Sequence, residues 1–268
     1  MLSPIPLFCL GLFFALLIGL EVGRFIGTRF RSESTGDGLT SASEGVVFAV
    51  LGLLLAFTFT ASAARFVERQ HMIVDQANAL STAWLRLDVL HTEDTRSIRE
   101  GMIEWTRLAL FHADPATDPA ERERLIARGA AIQLDAWRGT VDAVERDGRP
   151  SLPAFVLAPQ NDWIDLSTSR YAAHTSGLPP LVMPTLVVLA ICSAVLAGVS
   201  MSRKPTRNLT HMLAFALTIS LAIYVTLDLG QTRSGLIRID HIDRTLEIML
   251  ADFERDFAGE RGEPADTP

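Results

Sequence analysis

Five polar residues, His71, Asp75, Asn78, Thr82 and Arg86, recur every three or four positions in a segment whose other positions are mainly apolar. Residues at this spacing share one face of a helix. Amide, hydroxyl and charged side chains of this kind line the aqueous passages of channels, where they replace part of the water around an ion. Two interpretations stay open: a solvated helix surface, or the wall of an aqueous vestibule.

Hydroxyl side chains continue upstream of this row. Thr58 and Ser62 lie in an apolar stretch without charge. If the polar row borders a vestibule, these hydroxyls extend the polar path into the bilayer. The candidate pore or vestibule lining therefore consists of Thr58, Ser62, His71, Asp75, Asn78, Thr82 and Arg86.

Two acidic residues lie at the edges of apolar stretches, where charge is costly and tends to be functional. Glu44 opens one stretch, and the helix dipole favours an acid there. Asp228 closes another, where the dipole disfavours an acid, so it needs a basic partner, for which Arg233 is the candidate. We treat all three as candidate membrane-edge contacts and favour a structural role at the helix ends.

No signature of an enzyme is present. The six histidines are scattered, and neither an HExxH pattern, a phosphate-binding glycine loop nor a nucleophile elbow occurs. The only two cysteines, Cys9 and Cys192, fall in apolar stretches, which excludes a disulfide framework. We predict no catalytic, cofactor-binding or metal site. A net charge of −7 without a basic tract also argues against nucleic acid as a partner.

Four apolar stretches are long enough to cross a bilayer, whose hydrocarbon core needs about 20 apolar residues in a helix. They cover residues 5–22, 45–64, 181–199 and 209–227. The first lacks the basic start and the small-residue cleavage site of a signal peptide, so we expect an uncleaved helix. The lipid bilayer is therefore the expected surrounding of four helices.

The rest of the chain has helical periodicity and no strand pattern, so we predict an all-α integral membrane protein. Two pairs of transmembrane helices would flank a soluble helical domain. The predicted regions are 1–64 for the first pair, 65–177 for a domain that continues the second helix, 178–228 for the second pair, and 229–268 for an amphipathic tail helix with a disordered end. Within the domain, helices are expected at 94–111, from Asp118 to about Gly148, and at 159–173.

Small residues recur every third or fourth position in all four apolar stretches. Such stripes allow membrane helices to approach closely, so we infer that each packs against protein, in the same chain or another subunit. The stripes are Gly11, Ala15, Gly19 and Gly23; Gly45, Ala49, Gly52, Ala56 and Thr60; Ala190, Ala194 and Gly198; and Thr210, Ala214, Thr218, Ala222 and Thr226.

Four crossings put both termini and the 65–177 domain on one side of the membrane. Lysine and arginine favour the cytoplasmic side, but six basic residues border the membrane on each side, which leaves the orientation open.

Several stretches of the chain resemble those of bacterial bestrophin-like membrane proteins. The resemblance implies a multi-pass protein of the bacterial inner membrane with a layout like that of bestrophins, which are oligomeric anion channels. The stretches that carry it are Glu44-Gly45, Leu51–Phe59, Arg65-Phe66, Asp75–Ala79, Thr82–Arg86, Leu227-Asp228 and Arg233–Arg238.

Two functions follow as hypotheses. The first is a homo-oligomeric channel or pore for a small anion, lined by the second membrane helix and its extension. The second is a membrane-anchored sensor or scaffold whose helical domain binds a partner. An enzyme is not expected.

Overall fold

The computed structural model describes residues 4–29, 37–111, 117–175, 178–202, 209–230 and 240–260. Every regular element in these ranges is helical, which confirms the all-α class. A 3-10 turn covers Leu87–Val89. The α-helices are α1 (Pro4–Arg29), α2 (Asp37–Arg86), α3 (Thr92–Phe111), α4 (Pro119–Asp147), α5 (Leu152–Thr175), α6 (Val182–Met201), α7 (Leu209–Gly230) and α8 (Asp240–Glu260).

Four of these helices, α1, α2, α6 and α7, are long and apolar enough to cross a membrane, as predicted. Helix α2 runs without a break for 50 residues. At a rise of 1.5 Å per residue it is about 75 Å long, more than twice the thickness of the hydrocarbon core. It therefore contains both the second membrane segment and the helix that follows it.

The chain divides into two compact units. The membrane unit comprises Met1–Phe66 and Gly177–Ile237, and the helical unit comprises Val67–Ser176 and Arg238–Pro268. Helix α8, which the sequence analysis set apart in a tail region, belongs to the helical unit. The predicted disordered end lies beyond Glu260, outside the described residues.

Helices α1 and α6 pack backbone to backbone in the membrane unit. A Cβ atom at Gly23 would lie 1.9 Å from the carbonyl oxygen of Val195, and one at Gly198 would lie 2.1 Å from that of Leu20. Only glycine fits at both positions. The contact confirms that the small residues of α1 from Gly19 onward and those of α6 face protein, as inferred.

The boundaries of α4 follow from its terminal residues. Asp118 accepts a hydrogen bond from the backbone nitrogen of Ala120 at 3.0 Å, and Gly148 ends the helix in the left-handed region with φ of 75°. The Asp118 cap and a helix end near Gly148 were both predicted. The start of α5 differs from the prediction, because the helix begins at Leu152 and contains Pro159 in its interior. Proline suits a first turn, which is why position 159 looked like a helix start.

We expect Gly23→Ala to destabilise the membrane unit, because the added methyl group must displace the backbone of α6. Overpacking of this kind costs about 1–3 kcal/mol, and contact with backbone rather than a side chain puts it at the upper end. Thermal unfolding in mild detergent measures the effect. Gly11→Ala is the matched control, since nothing lies within 4 Å of a Cβ there. Equal melting temperatures for the two variants would contradict the described contact.

Candidate functional site

The two hydroxyls predicted to continue the path into the membrane lie on the protein-facing side of α2. Thr58 and Ser62 are both buried. Thr58 Oγ1 donates to the carbonyl oxygen of Leu54 at 2.6 Å, and Ser62 Oγ accepts from Arg65 Nη2 at 3.4 Å. Their surroundings are therefore the interior of the membrane unit.

The opposite side of α2 is open in the protomer. Gly45, Ala49, Gly52 and Ala56 are exposed. Neither Gly45 nor Gly52 has an atom within 4 Å of the position that a Cβ would take. Gly45 and Gly52 thus face open space in the described part of the chain, whereas Gly19 and Gly23 of α1 and Gly198 of α6 contact protein.

Three residues of the predicted polar row meet in one open groove of the helical unit. Asp75, Asn78 and Thr82 of α2 line it together with α5. The groove has a volume of about 500 Å³. His71 is exposed on α2 but does not line the groove. The α5 side contributes Asp162, Asp165, Leu166 and Ser169, and Ala79 of α2 completes the lining.

The sequence analysis missed the residues from α5. Asp162 and Asp165 are three apart and share a helix face, which is the only local signal. Nothing local shows that this face meets Asp75, almost ninety residues earlier in the chain. The groove therefore carries three carboxylates where the polar row alone predicted one. Together they give it a negative potential that attracts cations and repels anions.

A buried polar network fixes α2 and α5 beneath the groove. Ser167 Oγ accepts hydrogen bonds from Gln76 Nε2 at 2.5 Å and from Gln133 Nε2 at 2.6 Å. It donates to the carbonyl oxygen of Trp163 at 2.9 Å, and Arg170 donates to Gln76 Oε1. One hydroxyl thus joins α2, α4 and α5. Buried polar networks of this kind fix the register of the helices that they link.

Arg86, the last residue of the predicted row, has a structural partner. Its Nη1 donates to the carbonyl oxygen of Phe155 at 2.8 Å, and its guanidinium lies 4.5 Å from the centroid of the Phe155 ring. In a regular helix the amide of residue 159 would bond this carbonyl, but Pro159 has no N–H. Arg86 therefore supplies the hydrogen bond that proline removes from α5.

The C-terminal end of α2 is held against α3 and α8. Arg99 is almost fully buried and pairs with Asp88 and with Asp256, the latter at 3.1 Å. Trp84 Nε1 donates to the same Asp256 oxygen at 2.7 Å, and the Trp84 ring stacks on Phe253 at 4.2 Å. A buried guanidinium needs such partners, because an unpaired buried charge is strongly destabilising.

The turn between α4 and α5 also contacts the 3-10 turn that follows α2. Arg149 donates to the carbonyl oxygen of Val89 at 2.6 Å and binds both carboxylate oxygens of Asp147. The hydrogen bond from Arg149 holds the pKa of Asp147 below its usual range. Asp147 thus stays ionised, and Arg149 stays in place, through mild acidification.

The membrane-edge acids are both buried. Glu44 Oε2 accepts from the hydroxyl of Ser200 at 2.5 Å, which links α2 to α6. Asp228 is in hydrogen-bond contact with Tyr224. Arg233, the predicted partner of Asp228, lies outside the described residues. Among the described residues, no group of three or more His, Cys, Asp or Glu side chains could hold a metal ion.

The chain matches one protein family and several solved structures. The Bestrophin-like domain covers residues 11–241. A mutant of a bacterial bestrophin homologue from Klebsiella pneumoniae is 16% identical with a TM-score of 0.67, over 94% of this chain and 99% of that one. A second structure of that homologue is 15% identical with a TM-score of 0.63, over 94% and 98%. No curated protein sequence matches the chain. At such identities the structures show the shared fold alone.

We expect Arg86→Ala to lower the free energy of unfolding of the helical unit by about 1–3 kcal/mol, because the Phe155 carbonyl loses its charged donor. Adding Pro159→Ala restores a backbone N–H to that carbonyl, so Arg86→Ala should cost less in the Pro159→Ala background. Chemical denaturation of the four variants gives the coupling. Independent, additive effects would mean that Arg86 does not replace the missing bond.

Proposed function

The chain belongs to the bestrophin-like family, and from this premise we propose that its protomers assemble into an ion channel of the bacterial inner membrane, with α2 along the conduction path. Four candidate membrane helices and a helical unit, in the fold of solved bestrophin homologues, support a channel layout.

The open side of α2 carries this proposal. Lipid gains little from contact with glycine and alanine, whereas protein helices gain close packing or a water-filled space beside them. Gly45, Ala49, Gly52 and Ala56 are exposed in the described part of the chain, whereas the small residues of α1 from Gly19 onward and those of α6 are buried. A second copy of the chain, related to the first by a common axis, would provide the neighbour for the open side of α2. We therefore propose a homo-oligomer with α2 nearest the axis.

The polar residues that follow on α2 would form the vestibule of that path. Asp75 and Asn78 are exposed, and Thr82 is half-buried. His71 is also exposed and lies on the same helix face as Asn78, seven residues away. We propose His71, Asp75, Asn78 and Thr82 as the vestibule lining. Arg86 lies at its edge, where it binds the Phe155 carbonyl.

The charged residues along the path determine which ions permeate. The resemblance to bestrophins favours a small anion, whereas the three carboxylates of the groove favour cations near Asp75. The membrane segment of α2 from Gly45 to Ala64 has no charged residue to oppose them. We propose that the path takes small inorganic ions and that the groove shifts the selectivity toward cations.

Reconstituted protein should carry salt ions across liposome membranes and run as an oligomer in mild detergent. Gly52→Leu should reduce ion flux at least tenfold, because the leucine side chain fills space on the open side of α2. Gly11→Leu, which enters equally open space on α1, should keep wild-type flux. A monomer without flux would refute the channel and favour the membrane-anchored scaffold, whose helical unit should then retain a partner in a pull-down with the full chain.

Asp75→Asn should shift the reversal potential in a salt gradient toward the anion potential, whichever ion dominates in the wild type. A unit charge about 8 Å from an ion in water favours a cation and disfavours an anion by about 0.5 kcal/mol each, so the ratio of cation to anion permeability should fall about fivefold. Asp135→Asn, on an exposed position of α4, is the control. An unchanged ratio of cation to anion permeability in Asp75→Asn would show that the groove does not lie on the conduction path.

A further inference from the structure

The interior of the membrane unit holds polar side chains that its lipid surroundings make costly. Glu44 on α2 is 9% exposed, and Asp228 on α7 is 3% exposed. Between them along the helices lie Ser193 on α6 and Ser220 on α7, which are 0% and 6% exposed. Alanine at positions 193 and 220 would pack equally well and would bury no polar group.

Three polar atoms of this set have no hydrogen-bond partner among the described residues. They are Glu44 Oε1, Ser193 Oγ and Ser220 Oγ. Hydroxyls in membrane helices usually donate to the carbonyl one turn earlier, as Thr58 and Thr226 do at 2.6 and 2.8 Å. Ser193 and Ser220 do not. Buried polar groups without a protein partner are typically completed by ordered water.

The direction of the helices puts these groups in sequence across the unit. Gly19 of α1 lies against Ala194, and Gly27 lies against Ser202, so α1 and α6 run in the same direction. Helix α2 runs back, because Glu44 near its start contacts Ser200 near the end of α6 and Leu51 further along lies in the same core. Helix α7 runs back as well, because Tyr224 near its end interacts with Cys9 near the start of α1. The rings of Phe48 on α2 and Phe215 on α7 are 6.3 Å apart, which fixes a common level for the two returning helices.

Levels along the helices follow from a rise of 1.5 Å per residue. Glu44 lies about 6 Å before the level of the Phe48–Phe215 contact, and Ser220 lies about 7.5 Å beyond it. Ser193 is about 10 Å from Ser200, which contacts Glu44, and so lies close to the level of Ser220. Thr58 on α2 lies about 15 Å beyond the ring contact, and Asp228 on α7 lies about 20 Å beyond it.

We propose that these groups border a narrow hydrated path inside each protomer and that it conducts protons across the membrane unit, apart from the conduction path along the open side of α2. Hydroxyls and water both accept and donate hydrogen bonds, so a proton can pass along them by exchange of bonds. A proton taken up by the Glu44 carboxylate from one side is matched by one released from Asp228 to the other, and no further reactant is consumed.

The apolar neighbours make the path selective for protons. Leu51, Ala190, Ala216 and Ile223 are buried in the same apolar core, where a salt ion would lose the water that stabilises its charge. At the level of Leu51, the hydroxyls of Ser193 and Ser220 are the buried polar groups among the described residues of α6 and α7 that can pass a proton on. Other titratable groups on these helices include Cys9 and Tyr224 near Asp228, and Glu21, Arg24, Arg29 and His211 toward the Glu44 end.

Proton flux into liposomes that contain the full chain tests the path. With a pH gradient, a clamped membrane potential and a trapped pH-sensitive dye, wild type should collapse the gradient faster than protein-free liposomes. Glu44→Gln and Asp228→Asn should each slow this at least tenfold, and Ser193→Ala with Ser220→Ala at least threefold. Asp135→Asn should match wild type. Wild-type rates equal to protein-free liposomes, or unchanged rates in Glu44→Gln, would overturn the proposal.

Water access gives a second measurement that does not depend on the acid variants. In a Cys9→Ala, Cys192→Ala background, Ser193→Cys should react with a small water-soluble thiol reagent. Leu186→Cys, 1% exposed on the same helix, should not. Equal reactivity of the two, or none at Ser193→Cys, would contradict a hydrated path. Salt-ion flux in the same liposomes separates the two paths, because Glu44→Gln should keep it.

Discussion

The close contact between α1 and α6 is the constraint on which the membrane unit depends. Lipid offers no hydrophobic drive for one apolar helix to join another, so association depends on packing, and packing here depends on two glycines with no space for a Cβ. The contact buries the small residues of α1 from Gly19 onward and those of α6. It leaves exposed those of α2 and, on α7, Thr210, Ala214 and Thr218, and the proposed assembly uses those of α2.

One side of helix α2 is buried and the other is exposed. One side is buried in both units, with Leu51, Thr58 and Ser62 in the membrane unit and Gln76 and Leu80 in the helical unit. The other side is apolar within the lipid, where it carries both small residues and the exposed Leu53 and Phe57, and polar beyond it. Since a helix repeats every 3.6 residues, one uninterrupted element can keep this division over its whole length. The buried network at Ser167 and the pairing of Arg86 with the Phe155 carbonyl then fix α2 against α5.

The sequence predicted the features that depend on local chemistry. The four apolar stretches were recognisable by length, and Asp118 and Gly148 marked the ends of α4 because capping involves residues close in the chain. The placement of Thr58 and Ser62 was harder, because the open side of α2 cannot be told from its buried side by composition. Ser62 and His71 are nine residues apart, or two and a half turns, so the polar row and the hydroxyls fall on opposite sides. Arg86 and the α5 carboxylates depend on partners distant in sequence, which one chain does not reveal. Pro159 looked like a helix start because proline suits a first turn, and the sequence does not show that Arg86 replaces the hydrogen bond that proline removes.

The continuity of α2 has a mechanical consequence. Every turn of an α-helix is hydrogen-bonded to the next, so α2 has no joint between its two ends. The end near Trp84 and Arg86 is held by Arg99 of α3, the Phe155 carbonyl of α5 and Asp256 of α8. Any event that strengthens or weakens these contacts acts on the same helix that carries the glycines of the bilayer stretch, and needs no bend or hinge to do so.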